Sequence, residues 1–175
     1  MTKDIIKDDL YQYANPQKAE ILQRFFKTGP GQYGEGDVFW GIQVPVLRDF
    51  IKRYKGIPLE AIVELLHDPV HEIRMAGAFI MVDSFRKSKG NQKKEVFDCY
   101  MDNATCFNNW DLVDLTCPEI AGKWLIDKDR SILYQFAQSE NLWKQRISII
   151  STLSFIKKND FEDTFKIAMI LLNHK

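Results

Sequence analysis

Apolar residues recur every three to four positions along most of this 175-residue chain, which is the spacing of amphipathic α-helices. Strand signals are weak: alternating runs are missing, and so are the Asn-Gly and Asp-Gly dipeptides typical of hairpins. The pattern predicts an all-α fold, with helices over residues 16–26, 45–54, 59–67, 70–85, 93–101, 109–125, 130–138, 142–156 and 161–172.

Two stretches of the chain resemble each other, LLHDPVHEIRMAGAFIMV and FAQSENLWKQRISIISTL. Their matching arginines, Arg74 and Arg146, are 72 residues apart, and half of that, 36, is a typical length for a paired-helix repeat. A helix capped at Asn108 supplies the middle unit. The sequence therefore predicts one domain over 1–175, a curved α-α superhelix of HEAT-like repeats, with Asp114 on an inner helix beside the two arginines.

The stretch NNWDLVDL places Trp110 and Asp114 one helical turn apart, on the same face. Asp111 fits the first turn of a helix, where the dipole favours acids. Asp114 lies too deep for that explanation. Cys117 and Ala121 continue its face, and because both are small we expect space above it, as a ligand groove requires.

Arg146 lies among isoleucines on the next predicted inner helix. It is either a side chain that extends past apolar neighbours to reach water or a partner for Asp114. A structural salt bridge between repeats is the alternative to a functional pair. Trp143, three residues earlier, belongs either to the core or to the same groove.

Two motifs are rejected as ligand sites. Residues 29–34 match G-x-G-x-x-G, but a helix rather than a strand precedes them, so we do not predict nucleotide binding. His67 and His71, with Glu72 adjacent, do not form H-E-x-x-H and have no evident third ligand. We expect capping or surface roles for them, and we predict no metal and no cofactor.

The amino-acid composition restricts the kinds of molecule that this chain is expected to bind. The chain has 24 Lys+Arg and 24 Asp+Glu, which argues against indiscriminate nucleic-acid binding but leaves a local basic groove open. The basic run at 86–94 is interpreted as a solvated loop between helices. Three cysteines without a C-x-x-C pair favour a reducing cytoplasm, and Cys117 has no nearby histidine to activate it. No apolar run is long enough to span a membrane, and we expect a monomer.

Four segments together resemble the AlkD-like DNA alkylation repair proteins, which are HEAT-repeat DNA glycosylases: FFKTGPGQYGEGDVFWGIQVPVLRDF, HDPVHEIRMAGAFIM, NNWDLVD and SENLWKQRISII. The resemblance covers nearly the whole chain. It implies excision of cationic N3- and N7-alkylated purines from double-stranded DNA, without flipping the base into a deep pocket. The catalytic aspartate of the family falls on Asp114, the tryptophan that contacts the damaged nucleotide on Trp110, and the groove arginine on Arg146.

Further DNA contacts are expected from Trp143, Lys144 and Arg74, and the aromatic residues after the glycine-rich loop (Tyr33, Phe39 and Trp40) are candidates for the groove border. Family members usually continue past MILLNHK, so the resemblance predicts that C-terminal helices are missing here, together with another tryptophan that faces the lesion. Two rival functions remain: a HEAT-like module that binds a protein partner, and a non-catalytic relative that binds bent or branched DNA.

Overall fold

The computed structural model describes residues 2–172, which fold into helices joined by short turns and one longer loop. The α-helices are α1 (Thr2–Tyr11), α2 (Pro16–Phe25), α3 (Val44–Phe50), α4 (Leu59–Leu66), α5 (His71–Lys87), α6 (Gly90–Asp102), α7 (Trp110–Asp114), α8 (Ser131–Ala137), α9 (Leu142–Ser151), α10 (Leu153–Ile156) and α11 (Glu162–Leu171). Within the described residues no β-strand forms, and one isolated bridge joins Val38 to Val70. The predicted all-α class is confirmed.

Most predicted helices are present with shifted ends. Helix α2 begins as expected, because the Asn15 side chain accepts a hydrogen bond from the Lys18 N–H at 3.0 Å and Pro16 occupies the first turn. Helix α1 was not predicted. The segment predicted over 45–54 ends in a 3₁₀ turn, Ile51–Tyr54, and the one over 142–156 divides into α9 and α10.

The basic run at 86–94 is only in small part a loop, so that interpretation is wrong. Helix α5 continues to Lys87 and α6 begins at Gly90. Lys94 lies on α6 and pairs with Asp98 four residues later, at 2.6 Å. Since this pair is exposed, it adds little to stability.

The chain divides into two compact units, one ending at Lys89 and the other beginning at Gly90. In the N-terminal unit, α4 packs along α5, and both contribute fully buried apolar side chains, among them Ile62, Leu65 and Ile73. Helix α1 adds Ile6 and Leu10 to this core. Pairing of successive helices is consistent with a helical-repeat fold.

A buried carboxylate organises the loop of the N-terminal unit. Glu72, in the first turn of α5, accepts hydrogen bonds from the N–H groups of Trp40, Gly41 and Ile42 at 2.8–3.1 Å. Gly41 has a φ of +80°, and a Cβ there would lie 2.1 Å from the Asn15 carbonyl oxygen. Glycine is therefore required where the loop passes α2.

The C-terminal unit has its own core, in which α9 packs against α7 and α8. Leu133, Phe155 and Ile167 are fully buried there. Arg130 connects the segment before α8 to α11. It donates to the carbonyls of Leu125 and Ile126 and to the carboxylates of Asp160 and Asp163. Its guanidinium also lies 3.9 Å from the centre of the Phe155 ring.

Candidate active site in the C-terminal unit

Helix α7 is only five residues long, and Asp114 is its last residue. Asn109, fully buried, begins the helix by accepting a hydrogen bond from the Trp110 N–H at 2.8 Å. The helix ends at Asp114 because the Thr116 N–H donates to the Val113 carbonyl instead of the Leu112 carbonyl. Pro118, four positions after Asp114, has no N–H to donate to the Asp114 carbonyl and prevents the helix from continuing. The prediction of one continuous helix over 109–125, capped at Asn108, is therefore wrong.

A π-helical turn, Pro118–Gly122, follows the break. The Gly122 N–H donates to the Cys117 carbonyl at 2.8 Å, and the Ser154 hydroxyl donates to the Pro118 carbonyl at 2.7 Å. A Cβ on Gly122 would lie 2.4 Å from the Ser151 carbonyl oxygen, so this turn packs directly on the backbone of α9. Turns of this type occur frequently at functional sites.

The Asp114 carboxylate meets the Arg146 guanidinium in a two-point contact. Arg146 Nε donates to Asp114 Oδ1 at 2.7 Å, and Nη2 donates to Oδ2 at 2.6 Å. The two side chains are 30% and 37% exposed. The predicted pairing of these residues is thus present, and α7 and α9 each position one partner.

Local helix energetics do not explain the acid at this position. A carboxylate at the last residue of a helix faces the negative end of the helix dipole, where acids are disfavoured. Arg146 supplies the compensating charge. The hydrogen bond with Asp114 is the main reason that the pKa of Arg146 is raised above its usual value, although burial opposes the rise.

Three further predicted residues surround this pair in sequence. Trp110 begins α7 and is half-buried. Trp143 and Lys144 lie in the first turn of α9, where the Asn141 side chain accepts hydrogen bonds from both of their N–H groups at 3.0 Å. The Lys144 ammonium lies 5.3 Å from the centre of the Phe136 ring.

The small size of Cys117 and Ala121 predicted open space beside Asp114, and this prediction is wrong. Both are fully buried, because the helix breaks after Asp114 and directs them into the core. Burial also raises the pKa of the Cys117 thiol well above its usual value. The expectation that Cys117 is not a nucleophile agrees with this, since a buried neutral thiol reacts poorly.

Arg74 lies in the N-terminal unit and is 5% exposed. Its guanidinium donates to Asp37 Oδ1 at 2.6 Å and to the Asp68 and Pro69 carbonyls at 2.9 and 3.1 Å. An arginine held in this way has a structural role, and we do not include Arg74 in a DNA-binding surface. Phe39 is also buried in this unit, stacked on His71 with ring centres 4.4 Å apart, which corrects its assignment to a groove border.

The other two aromatic candidates of this unit are more accessible. Tyr33 is exposed, and its hydroxyl donates to the Phe25 carbonyl. Trp40 is half-buried and makes an edge contact with Tyr11, with ring centres 5.0 Å apart. Their place at a groove border stays a prediction.

The glycine-rich loop is held by its own side chains. Gln32 accepts a hydrogen bond from the Gly29 N–H and Glu35 accepts one from the Gly31 N–H, at 3.1 and 2.8 Å.

His67 caps the end of α4, where its Nδ1 lies 2.9 Å from the Val63 carbonyl oxygen. Among residues 2–172, no three histidine, cysteine or acidic side chains are grouped closely enough to hold a metal ion.

These observations define an all-helical protein whose candidate site is a partly exposed carboxylate, paired with arginine and one helical turn from a tryptophan. The family model for DNA alkylation repair enzymes matches residues 6–175, and the chain belongs to that family. A comparison with curated proteins gives no match. None of the described helices is both long enough and apolar enough to cross a bilayer.

Proposed function

We propose that this member of the DNA alkylation repair family is a DNA glycosylase that excises cationic N3- and N7-alkylated purines from double-stranded DNA. The observation that carries the proposal is the Asp114 carboxylate, which is held at two points by Arg146 and remains 30% exposed. A carboxylate that is oriented and still accessible can act on a charged substrate at the protein surface.

Excision of a cationic purine requires few catalytic groups besides a carboxylate. A purine alkylated at N3 or N7 carries a positive charge and leaves without protonation by a general acid. The transition state concentrates positive charge on the deoxyribose as the glycosidic bond stretches. Asp114 stabilises that charge and positions the water that attacks C1′. The alkylated base departs as a neutral molecule with the electron pair of the glycosidic bond, water supplies the hydroxyl group on C1′, and the second proton of the water is released to solvent.

Arg146 has two roles in this proposal. Its Nε and Nη2 orient the carboxylate before the substrate arrives, so that no reorganisation is needed during the reaction. Within the described part of the chain, Nη1 of this partly exposed side chain has no hydrogen-bond acceptor, and it is available to a phosphate next to the lesion.

Trp110 supplies an indole one helical turn before the carboxylate. An electron-rich ring beside a cationic nucleotide contributes about 0.5–2 kcal/mol through cation–π attraction. Lys144 and Trp143, at the start of α9, extend the contact surface toward the DNA backbone. Because Asp114 and Trp110 are both partly exposed, we propose that the lesion is attacked without insertion into a deep pocket.

We further propose that the chain acts as a monomer on duplex DNA in the cytoplasm. None of the three cysteines, all of which lie within residues 2–172, forms a disulfide, which fits a reducing compartment. No metal or cofactor has a role in the proposed reaction.

The test is the release of 7-methylguanine and 3-methyladenine from methylated duplex DNA, identified by chromatography and mass spectrometry. We expect release by the unmodified chain and none above background by Asp114→Asn, which has the same shape without the charge. Salt-dependent DNA binding without base release would refute the enzyme and favour a non-catalytic DNA-binding module. Absence of both release and DNA binding would favour a module for a protein partner.

A further inference from the structure

A buried side chain takes the place of one backbone donor at the end of α7. In a continuous α-helix the Thr116 N–H would donate to the Leu112 carbonyl; here it donates to the Val113 carbonyl at 3.1 Å. The Leu112 carbonyl instead accepts the Thr116 hydroxyl at 2.5 Å. This substitution occurs two residues after Asp114, where the chain leaves the helix.

Tyr100 holds the threonine in place. A threonine hydroxyl has one hydrogen, and both backbone carbonyls near Thr116 Oγ1, that of Leu112 at 2.5 Å and that of Val113 at 3.3 Å, can only accept it. Tyr100 is therefore the donor in the 3.1 Å contact between the two hydroxyls. Tyr100 lies on the 13-residue helix α6, and its ring packs on Phe107 with centres 4.5 Å apart. The end of the short helix is thereby attached to a long one.

Both hydroxyl groups belong to side chains that are 0% exposed. Water cannot replace a lost partner at such a position. Removing the Thr116 hydroxyl takes the side-chain donor from the Leu112 carbonyl and the acceptor from the Tyr100 hydroxyl, whereas removing the Tyr100 hydroxyl leaves Thr116 bonded to Leu112 and takes away its second partner. The alternative is that the backbone next to Thr116 shifts to restore a hydrogen bond, and Asp114 is only two residues away.

Arg146 fixes the end of the Asp114 side chain, but the backbone that carries this residue has few hydrogen bonds beyond α7. The Asp114 carbonyl has no helical donor, since position 118 is proline. The carbonyl of the preceding residue, Val113, accepts hydrogen bonds from the N–H groups of both Thr116 and Cys117, at 3.1 and 2.9 Å. Burial raises the pKa of Tyr100 well above its usual value, so its hydroxyl stays protonated and able to donate.

We infer that Tyr100 and Thr116 are positioning residues for the reaction: their hydroxyl relay to the Leu112 carbonyl sets the direction of the Asp114 carboxylate toward Arg146 and the substrate. The inference rests on the proposed function of Asp114 and extends it to residues that do not touch DNA. Neither residue is a catalytic residue, because neither reaches the reacting atoms.

The informative variants remove a hydroxyl and little else. Thr116→Val keeps the shape of the side chain, Thr116→Ser keeps the hydroxyl, and Tyr100→Phe keeps the bond between Thr116 and Leu112. A matched control is Thr152→Val in the same unit. Thr152 is 1% exposed, and its hydroxyl donates to the Ile149 carbonyl at 2.7 Å at the end of α9.

We expect the single-turnover rate of 7-methylguanine release to fall by about tenfold to 100-fold in Thr116→Val and Tyr100→Phe. The Kd for the same duplex should not change, since no DNA contact is removed. Thr116→Ser should recover most of the rate, and Thr152→Val should keep it despite a similar loss in melting temperature. Rates in Thr116→Val and Tyr100→Phe equal to that of Thr152→Val would overturn the inference.

A second measurement does not depend on activity. The Arg146 Nε–H should give a protected resonance in a ¹H–¹⁵N spectrum, because it is bonded to Asp114; its loss in Arg146→Lys assigns it. We expect that resonance to shift or exchange faster in Tyr100→Phe and Thr116→Val and to stay unchanged in Thr152→Val. An unchanged resonance in all variants would overturn the inference, whereas a lack of base release by the unmodified chain would refute only the proposed function.

Discussion

Arg146→Lys separates the functional value of the Asp114–Arg146 pair from its value for stability. The substitution keeps a positive charge but removes the two-point contact, because an ammonium cannot reproduce the planar geometry of a guanidinium. Both side chains are about one-third exposed. A pair so accessible contributes only about 0–1 kcal/mol to the free energy of unfolding.

The expected stability change is therefore small. For a chain of this size, a loss of up to about 1 kcal/mol lowers the melting temperature by at most about 2–4 °C. The catalytic effect should be larger. A carboxylate that is no longer fixed loses orientation, and we expect the excision rate to fall by about 100-fold, which corresponds to about 2.7 kcal/mol in the activation barrier.

Arg130→Lys is the matched control in the same unit. Arg130 is only 17% exposed and donates to two carbonyls and two carboxylates, so several charge-assisted hydrogen bonds are lost. At about 1.5–3 kcal/mol each, two such losses cost about 3 kcal/mol or more, or at least about 6 °C in melting temperature. Excision per folded molecule should be unchanged.

The assay compares thermal unfolding with single-turnover release of 7-methylguanine for the two variants. We expect opposite results: Arg146→Lys keeps its melting temperature and excises slowly, whereas Arg130→Lys melts early and excises at the unmodified rate. An Arg146→Lys variant that excises at the unmodified rate, or that unfolds as early as Arg130→Lys, would refute this expectation.

Three further predictions concern the C-terminal unit. Gly122→Ala should lower the free energy of unfolding by about 1–3 kcal/mol, measured in urea, because its Cβ would lie 2.4 Å from a carbonyl oxygen of α9; an unchanged midpoint would contradict the close packing. Burial alone would raise the pKa of Asp163, but hydrogen bonds from Tyr134 and Arg130 outweigh it and hold the pKa below its usual value. The lowered pKa of Asp163 stabilises the fold above about pH 4, and this contribution is lost as the pH falls below that value. In Asp163→Asn the free energy of unfolding should therefore fall less steeply with acid, and an equally steep fall would contradict this role of Asp163. Cys117 should resist alkylation in the native state, as read by mass spectrometry, while the other two cysteines, which are only partly buried, react first; equal rates would contradict its burial.

The sequence predicted what depends on local pattern. Asn15-Pro16 marks the start of α2 because a cap and a first-turn proline act within three residues. The spacing of NNWDLVDL and NLWKQR predicted that Asp114 and Arg146 lie on helices of adjacent repeats, and their contact is present although 32 residues separate them. That result depended on the repeat pattern as well as on local propensity.

The features that the sequence did not predict are of two kinds. Some depend on contacts between residues far apart in the chain, and one, the early end of α7, was masked by the apolar pattern around it. Arg74 matches Arg146 in the repeat, yet it is buried by Asp37, a residue from the glycine-rich loop whose path no local pattern fixes. Pro118 was the available signal that the helix beginning at Trp110 ends early, and the apolar periodicity beyond it concealed the break. Tyr100 and Thr116 gave no signal in the sequence, since their pairing joins α6 to the turn that follows α7.

The most direct test of the central claim is the single-turnover rate of 3-methyladenine release from a methylated duplex by the unmodified chain and by Asp114→Asn, with melting temperatures measured in parallel. We predict release by the unmodified chain, a rate at least about 100-fold lower in Asp114→Asn, and melting temperatures within about 4 °C of each other. Equal rates in the two proteins would contradict the account, because the carboxylate could not then be the group that stabilises the transition state.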